Sequence, residues 1–328
     1  MFHAIERNGL HGTIPYELGS STALSSTLTK LHLKQNSLLV GNIPSSLEKL
    51  TKLTSLDLSE NRLNGTVPNG IISNLRGLQI LRLGYNNFEG DLFRGISPVQ
   101  DGVQNNLNEL NVSNNKQLTG QLLSIQSIDL TTSLFLTTFR NLTILDLSNC
   151  SFSGQISGQV SLFAETIQIF NIDDNKFQGW VPREGHSEFQ RGAILFYQNK
   201  RFFSANRNEL TGIIPWEYMN YATNLHTLQL SGNKLTGTLP DDPSVIDNLS
   251  QSLETLDLSY NQLGSTISST VFGQFTQLKQ LELHGNDLVG TIPSTLGSCT
   301  SLQHLSLNMN GIIGTLPTEL SQLSSLRK

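Results

Sequence analysis

The sequence predicts an α/β fold in the form of a solenoid: short coils stacked in register, parallel β-strands along one side and short helical turns along the other. Three observations predict it. One residue spacing recurs from end to end, a strict apolar–polar alternation sits at the same place in each recurrence, and a proline step follows it at a fixed distance. In "TKLTSLDLSENRLNGTVPNGI" (51–71), Asn61 serves as an anchor. Apolar residues lie at minus 8, minus 5, minus 3 and plus 2, glycine at plus 4, and Val67-Pro68 at plus 6 and plus 7. The same grid is read at twelve anchors: Asn8, Asn36, Asn61, Asn86, Asn115, Cys150, Asn175, Asn208, Asn233, Asn261, Asn286 and Asn310. Anchors are 24 to 29 residues apart, except for 35 before Cys150 and 33 before Asn208. Self-similarity at a period of roughly 20–50 residues indicates stacked repeats that cannot bury their apolar faces alone.

Each coil begins with a strand. "LTSLDLS" alternates with period 2, so Leu56 and Leu58 are expected to point inward and Ser55, Asp57 and Ser59 outward. Every copy runs the same way, so neighbouring strands pair in parallel through a long crossover. The anchor follows, where the chain turns. An amide offers one acceptor and two donors, and a column of buried asparagines can satisfy turn groups whose burial would otherwise cost about 1–3 kcal/mol each. The expected ladder is Asn36, Asn61, Asn86, Asn115, Asn175, Asn208, Asn233, Asn261, Asn286 and Asn310, with Cys150 standing in once. Glycine at plus 4 permits close backbone approach or a positive φ. Eight of the ten prolines occupy the next step. They lack a donor and fix φ, so they open the return path. Phrases such as "SSLEKLTKL" then suit short 3-10 turns, in which i and i+3 eclipse.

"LTGIIPWEYMNYATNLHTLQLSGN" and "LVGTIPSTLGSCTSLQHLSLNMN" resemble leucine-rich repeats of the plant-type subclass, and the resemblance covers essentially the whole chain. It implies a right-handed horseshoe with a concave parallel sheet, a convex side of 3-10 segments and a second short strand near the Gly-x-Ile-Pro step. It further implies kinship with receptor-like ectodomains and polygalacturonase-inhibitor-type solenoids. The chain is read as one domain, residues 1–328, with irregular insertions at about 121–141 and 183–201. Such interruptions either form tolerated surface loops or, as in receptor members of the resembled family, contact ligand. The chain starts inside a strand and stops where another would begin. The resembled ectodomains usually carry a cysteine-paired N-terminal cap, so the expectation is a fragment lacking both caps, a shortened gene model, or a chain that uses its ends for assembly.

Composition narrows the partners. The net charge is −5, which disfavours nucleic acid and anionic membranes. No apolar run approaches the ~20 residues of a membrane helix, and no signal peptide is apparent. Cys150 and Cys299 lie five coils apart, too far to bridge, and are read as free thiols. Five Asn-x-Ser/Thr sequons (Asn64, Asn111, Asn141, Asn149, Asn248) are about what chance gives in a chain this rich in Asn, Ser and Thr. They assign no compartment. The location is therefore open: cell-surface or extracellular if the parent chain carries a signal peptide, cytoplasmic otherwise. The scattered histidines have no ligand spacing, and neither a phosphate loop nor a nucleophile elbow occurs. No cofactor, metal or catalytic residue is expected.

The informative surface is the outward strand row together with the residue before each anchor. These rows offer Arg82, Tyr85, Asp146, Asn171, Asp173, Asp174, Arg201, Arg207, Asp257 and Tyr260 as candidate ligand contacts. Tyrosine and arginine favour recognition hot spots, and Asp173-Asp174 depart from the default "LDLS" spelling. The default aspartates, Asp57, Asp146 and Asp257, read rather as solvated repeat residues, so Asp173 and Asp174 are the stronger candidates. A non-catalytic module recognising a protein or peptide follows, the receptor part by analogy, with a co-receptor or a longer parent chain as further implied partners. An intracellular interaction scaffold is the alternative. An ice-binding surface is disfavoured because the outward row mixes Asp, Arg, His, Glu and Ser.

Overall fold

A computed structural model describes residues 2–94, 106–122, 139, 141–156, 166–181 and 197–327. The expected insertions fall mostly on 123–138, 140 and 182–196, outside the described residues. The chain forms two compact units, Met1–Gly154 with Asp174–Lys176, and Gln155–Asp173 with Phe177–Lys328.

In the first unit the strands Phe2–Ala4, Lys30–His32, Ser55–Asp57, Ile80–Arg82, Glu109–Asn111 and Ile144–Asp146 pair in parallel, in chain order. In the second, Ile169–Asn171, Phe202–Ser204, Thr227–Gln229, Thr255–Asp257, Gln280–Glu282 and His304–Ser306 do the same. Each strand spans the positions six to four residues before its anchor, so like positions pair: Leu56 with Leu81, Leu228 with Leu256. A one-residue slip would turn every leucine outward, and Leu56, Leu81, Leu228 and Leu256 are fully buried.

A second set of short parallel strands follows the anchors. In the first unit it includes Leu38–Gly41, Arg62–Gly65, Asn87–Asp91 and Gln117–Thr119, and in the second Glu209–Ile213 and Lys234–Thr236. Beyond it the prolines act as helix starts. Pro15, Pro44, Pro68, Pro215, Pro293 and Pro317 are the N-caps of short α or 3-10 segments. Proline suits this position because the donor it lacks would have no partner within the helix.

The anchor asparagines stitch the coils. Asn61 Oδ1 accepts from Asn36 N at 2.9 Å, while its Nδ2 donates to the carbonyls of Leu33, Leu58 and Ser59. Asn86 takes Leu63 N and gives to Leu58, Leu83 and Gly84. Asn208, Asn233, Asn261, Asn286 and Asn310 repeat the set in the second unit, each taking one backbone N–H and giving to carbonyls of two coils. Asn36, Asn115 and Asn175 likewise bond backbone groups of the preceding coil. Cys150 gives its weak thiol donor to Val112 and Ser148 carbonyls at 3.4 and 3.5 Å. Burial pushes its pKa up to about 12. Both cysteines are free and buried.

Two expectations need correction. Ser55, Asp57 and Ser59 lie on the outward face of the strand, yet they are buried, Asp57 at 2% exposure. Asp57 accepts from both the backbone N and the Oγ of Ser59, and Arg82 approaches it. The grid also fails at minus 8 from Asn208. That position in the apolar spine is Lys200, fully buried, with Nζ donating to Ile167 O at 2.8 Å.

Candidate ligand-binding face

The strands hold their polar residues in place, and the turns present theirs to solvent. The residue before each anchor adopts a left-handed conformation in every coil. Its φ lies between 49 and 58° at Arg7, Gln35, Glu60, Tyr85, Asn114, Asn149, Asp174, Arg207, Tyr260 and Met309, and at 67 and 65° for Gly232 and Gly285. A non-glycine residue there costs about 1–2 kcal/mol. The surrounding bonds hold it, since this turn ends the strand and delivers the anchor inward. Its side chain is thereby thrown outward. Tyr85 is 59% exposed and Tyr260 52%.

In the first unit, Arg82 is a strand residue committed within the sheet. Its Nε and Nη2 fork onto Glu109 at 2.6 and 2.8 Å, and Nη1 lies 3.6 Å from Asp57. Hydrogen bonding to Glu109 raises its pKa further. Asp146 holds Ser148 by N and Oγ, and takes Asn111 Nδ2 at 3.2 Å. Burial pushes its carboxyl up from the ordinary value. Tyr85 and Asp174 occupy left-handed turns, the former open and the latter half-buried.

In the second unit, Asn171, Asp173 and Asp257 join one polar chain. Asn171 Oδ1 takes Asp173 N at 3.2 Å. Asp173 accepts from Ser204 Oγ and Asn206 N, both at 2.6 Å, and from Asn206 Nδ2. Asn206 Oδ1 takes Ser231 N, Ser231 Oγ meets Ser259 Oγ at 2.7 Å, and Ser259 donates to Asp257. Burial raises the Asp173 pKa, opposed by these bonds and by the charge of Arg207. Arg201 lies exposed just before its strand, and Arg207 sits exposed in its turn. Tyr260 stands edge-on to His284 at 4.8 Å. A Cβ on Gly285 would reach within 2.8 Å of its ring, so glycine in that turn lets the tyrosine lie across it. His284 is held by Glu282 at 3.4 Å and Ser306 Oγ at 3.0 Å.

No group of three or more His, Cys, Asp or Glu among the described residues could hold a metal, and none of their helices is long and apolar enough to cross a membrane.

Leucine-rich-repeat family models match residues 223–288, and 52–74, 141–162 and 301–323. Receptor-like protein 18 of Arabidopsis thaliana is 28% identical over 84% of this chain, and Receptor-like protein 35 is 32% identical over 78%. The solved plant peptide hormone receptor RGFR1 in complex with RGF2 superposes with a TM-score of 0.74 at 28% identity, covering 99% of this chain and 50% of that one. PEPR1–AtPEP1 gives 0.72 at 26%, covering 99% and 47%. The chain is a plant-type leucine-rich-repeat protein. It spans 34% of Receptor-like protein 18 and 24% of Receptor-like protein 35.

Several residues that shape the face of this leucine-rich-repeat protein were not singled out from sequence: Glu109, which binds Arg82, and Ser204 and Asn206, which bind Asp173. A signal existed at minus 2 from the anchors, where Ser59, Ser113, Ser148, Asp173, Asn206, Ser231 and Ser259 form a row of small polar residues. The bonds that join Arg82 to Glu109 and Asp173 to Ser204 and Asn206 span 27 to 33 residues across the sheet, a distance that only the register closes.

Proposed function

We propose that this chain is part of the ligand-recognising region of a receptor-like protein, binding a peptide or protein without catalysing a reaction. The observation that carries this reading is the exposed row of left-handed turn residues, Tyr85 in one unit and Arg207, Tyr260 and Met309 in the other, raised on strands whose own polar groups are mutually bonded. A pre-organised surface loses little entropy when it is occupied, and Tyr and Arg are favoured anchors. Similarity to receptor ectodomains solved with peptides supports the same reading. Asp146, Asn171, Asp173 and Asp257 then serve as the brace beneath the contact row, while Asp174 sits within it.

Panning the purified chain against displayed random dodecapeptides tests this. Selected peptides are expected to lose at least tenfold in affinity, about 1.4 kcal/mol, on Tyr260→Ala or Arg207→Glu. Recovery of no peptide, or of peptides indifferent to both substitutions, rejects the reading.

A further inference from the structure

The second unit carries a recess on its second set of strands, the one that follows the anchors. It has a volume of about 500 Å³ and is lined by Gln155, Gln178, Trp180, Glu209, Thr211 and Lys234, within the about 300–1,000 Å³ of small-molecule sites. Trp180 is the fifth residue after its anchor, in the Gly-x-Val-Pro step. The same position carries threonine in six other coils, Thr13, Thr66, Thr238, Thr266, Thr291 and Thr315. The fold therefore asks for no aromatic ring there, and this one is 42% exposed. Its indole lies across Gly212 of the next coil, where a Cβ would come within 2.7 Å of Cδ1. Around it Gln178 Nε2 donates to Glu209 Oε2 at 3.2 Å, and Lys234 Nζ stands 3.8 Å from the same oxygen. The carboxylate and ammonium balance, leaving a neutral rim of amides, a hydroxyl and a paired charge beside one flat apolar platform.

We propose that this recess binds a neutral oligosaccharide. A pyranose has an apolar C–H face and an equator of hydroxyls. The first fits a tryptophan platform, and the second suits side chains that both donate and accept, as Gln155, Gln178, Thr211 and Glu209 with Lys234 do. A proline-rich peptide fits less well, because the grooves that take such peptides are lined by several aromatic residues and, among the described residues lining this recess, Trp180 is the one aromatic. The site is separate from the turn row and does not depend on its reading.

Trp216, the second tryptophan, is 6% exposed with Nε1 donating to Thr238 O, so quenching of emission by acrylamide reports Trp180. Cellohexaose, xylohexaose, mannohexaose and decaproline are the probes. At least one hexasaccharide is expected to shield the emission saturably. Gln178→Ala should weaken that binding at least fivefold, and Trp180→Ala should abolish it by calorimetry with an unchanged melting temperature. Tyr260→Ala should leave it intact. Failure of all three sugars to shield, shielding by decaproline alone, or calorimetric affinity that survives Trp180→Ala would each overturn the proposal.

Discussion

Lys200 replaces a leucine of the spine with a buried amine whose pKa burial lowers to about 7 from 10.5. The amine donates to a carbonyl of the preceding coil, Ile167 O, at 2.8 Å. The unfolded chain holds that proton more tightly than the folded one. Stability therefore rises with pH across the window from about 7 to 10.5, and below it the full penalty applies, on the order of 1.4 kcal/mol per unit. The melting temperature is expected to climb between pH 7 and 9.5. Lys200→Met should raise it at pH 7 and flatten the slope, and differential scanning calorimetry of both proteins reads this directly. Cys150 is the opposite case, a weak donor where amides belong. Cys150→Asn restores an acceptor and stronger donors to carbonyls already in place, and should add about 1 kcal/mol in denaturant titration.

At the scale of the element, the left-handed turn is the device that ends each strand. Its tolerance depends on Cβ branching, because a branched side chain crowds the following carbonyl at positive φ. Tyr85→Val, at φ 57°, should cost about 1–2 kcal/mol, although the residue is more than half exposed. Tyr85→Gly should be nearly neutral, since relief of the turn offsets the entropy that glycine adds to the unfolded chain. Urea midpoints of the two variants check this. Equal destabilisation would mean that the ring, and not the turn, matters. The strand rows follow a different rule. Arg82 and Asp173 sit where a solvent-facing contact was expected, but parallel pairing brings complementary groups within reach on the next coil, Glu109 for one and Ser204 with Asn206 for the other.

Within each unit, stability is a sum of coil terms and nearest-neighbour terms, and this is why so much of the fold was legible in the sequence. Period, alternation, anchor and proline each repeat, so a single misfit does not mislead. The strands fall at a constant offset from the anchors, and Pro44, Pro68 and Pro293 start helices as their lack of a donor requires. The candidate site was less legible because it consists of departures from the repeat. Spelling alone does not reveal that Asp173 reaches Ser204, 31 residues on, or that Asp57 is covered by Arg82. Lys200 was absorbed into an apolar column because its neighbours in the grid are apolar, and the long coils fall largely outside the described residues.

The recurrence of one backbone conformation before the anchors has a further consequence. Arginine, glutamine, glutamate, tyrosine, asparagine, aspartate, methionine and glycine all occupy it with φ between 49 and 67°. Such a column behaves like movable type. Letters can be exchanged one coil at a time while the frame that holds them stays locked, so a new partner can be spelled without recasting the scaffold.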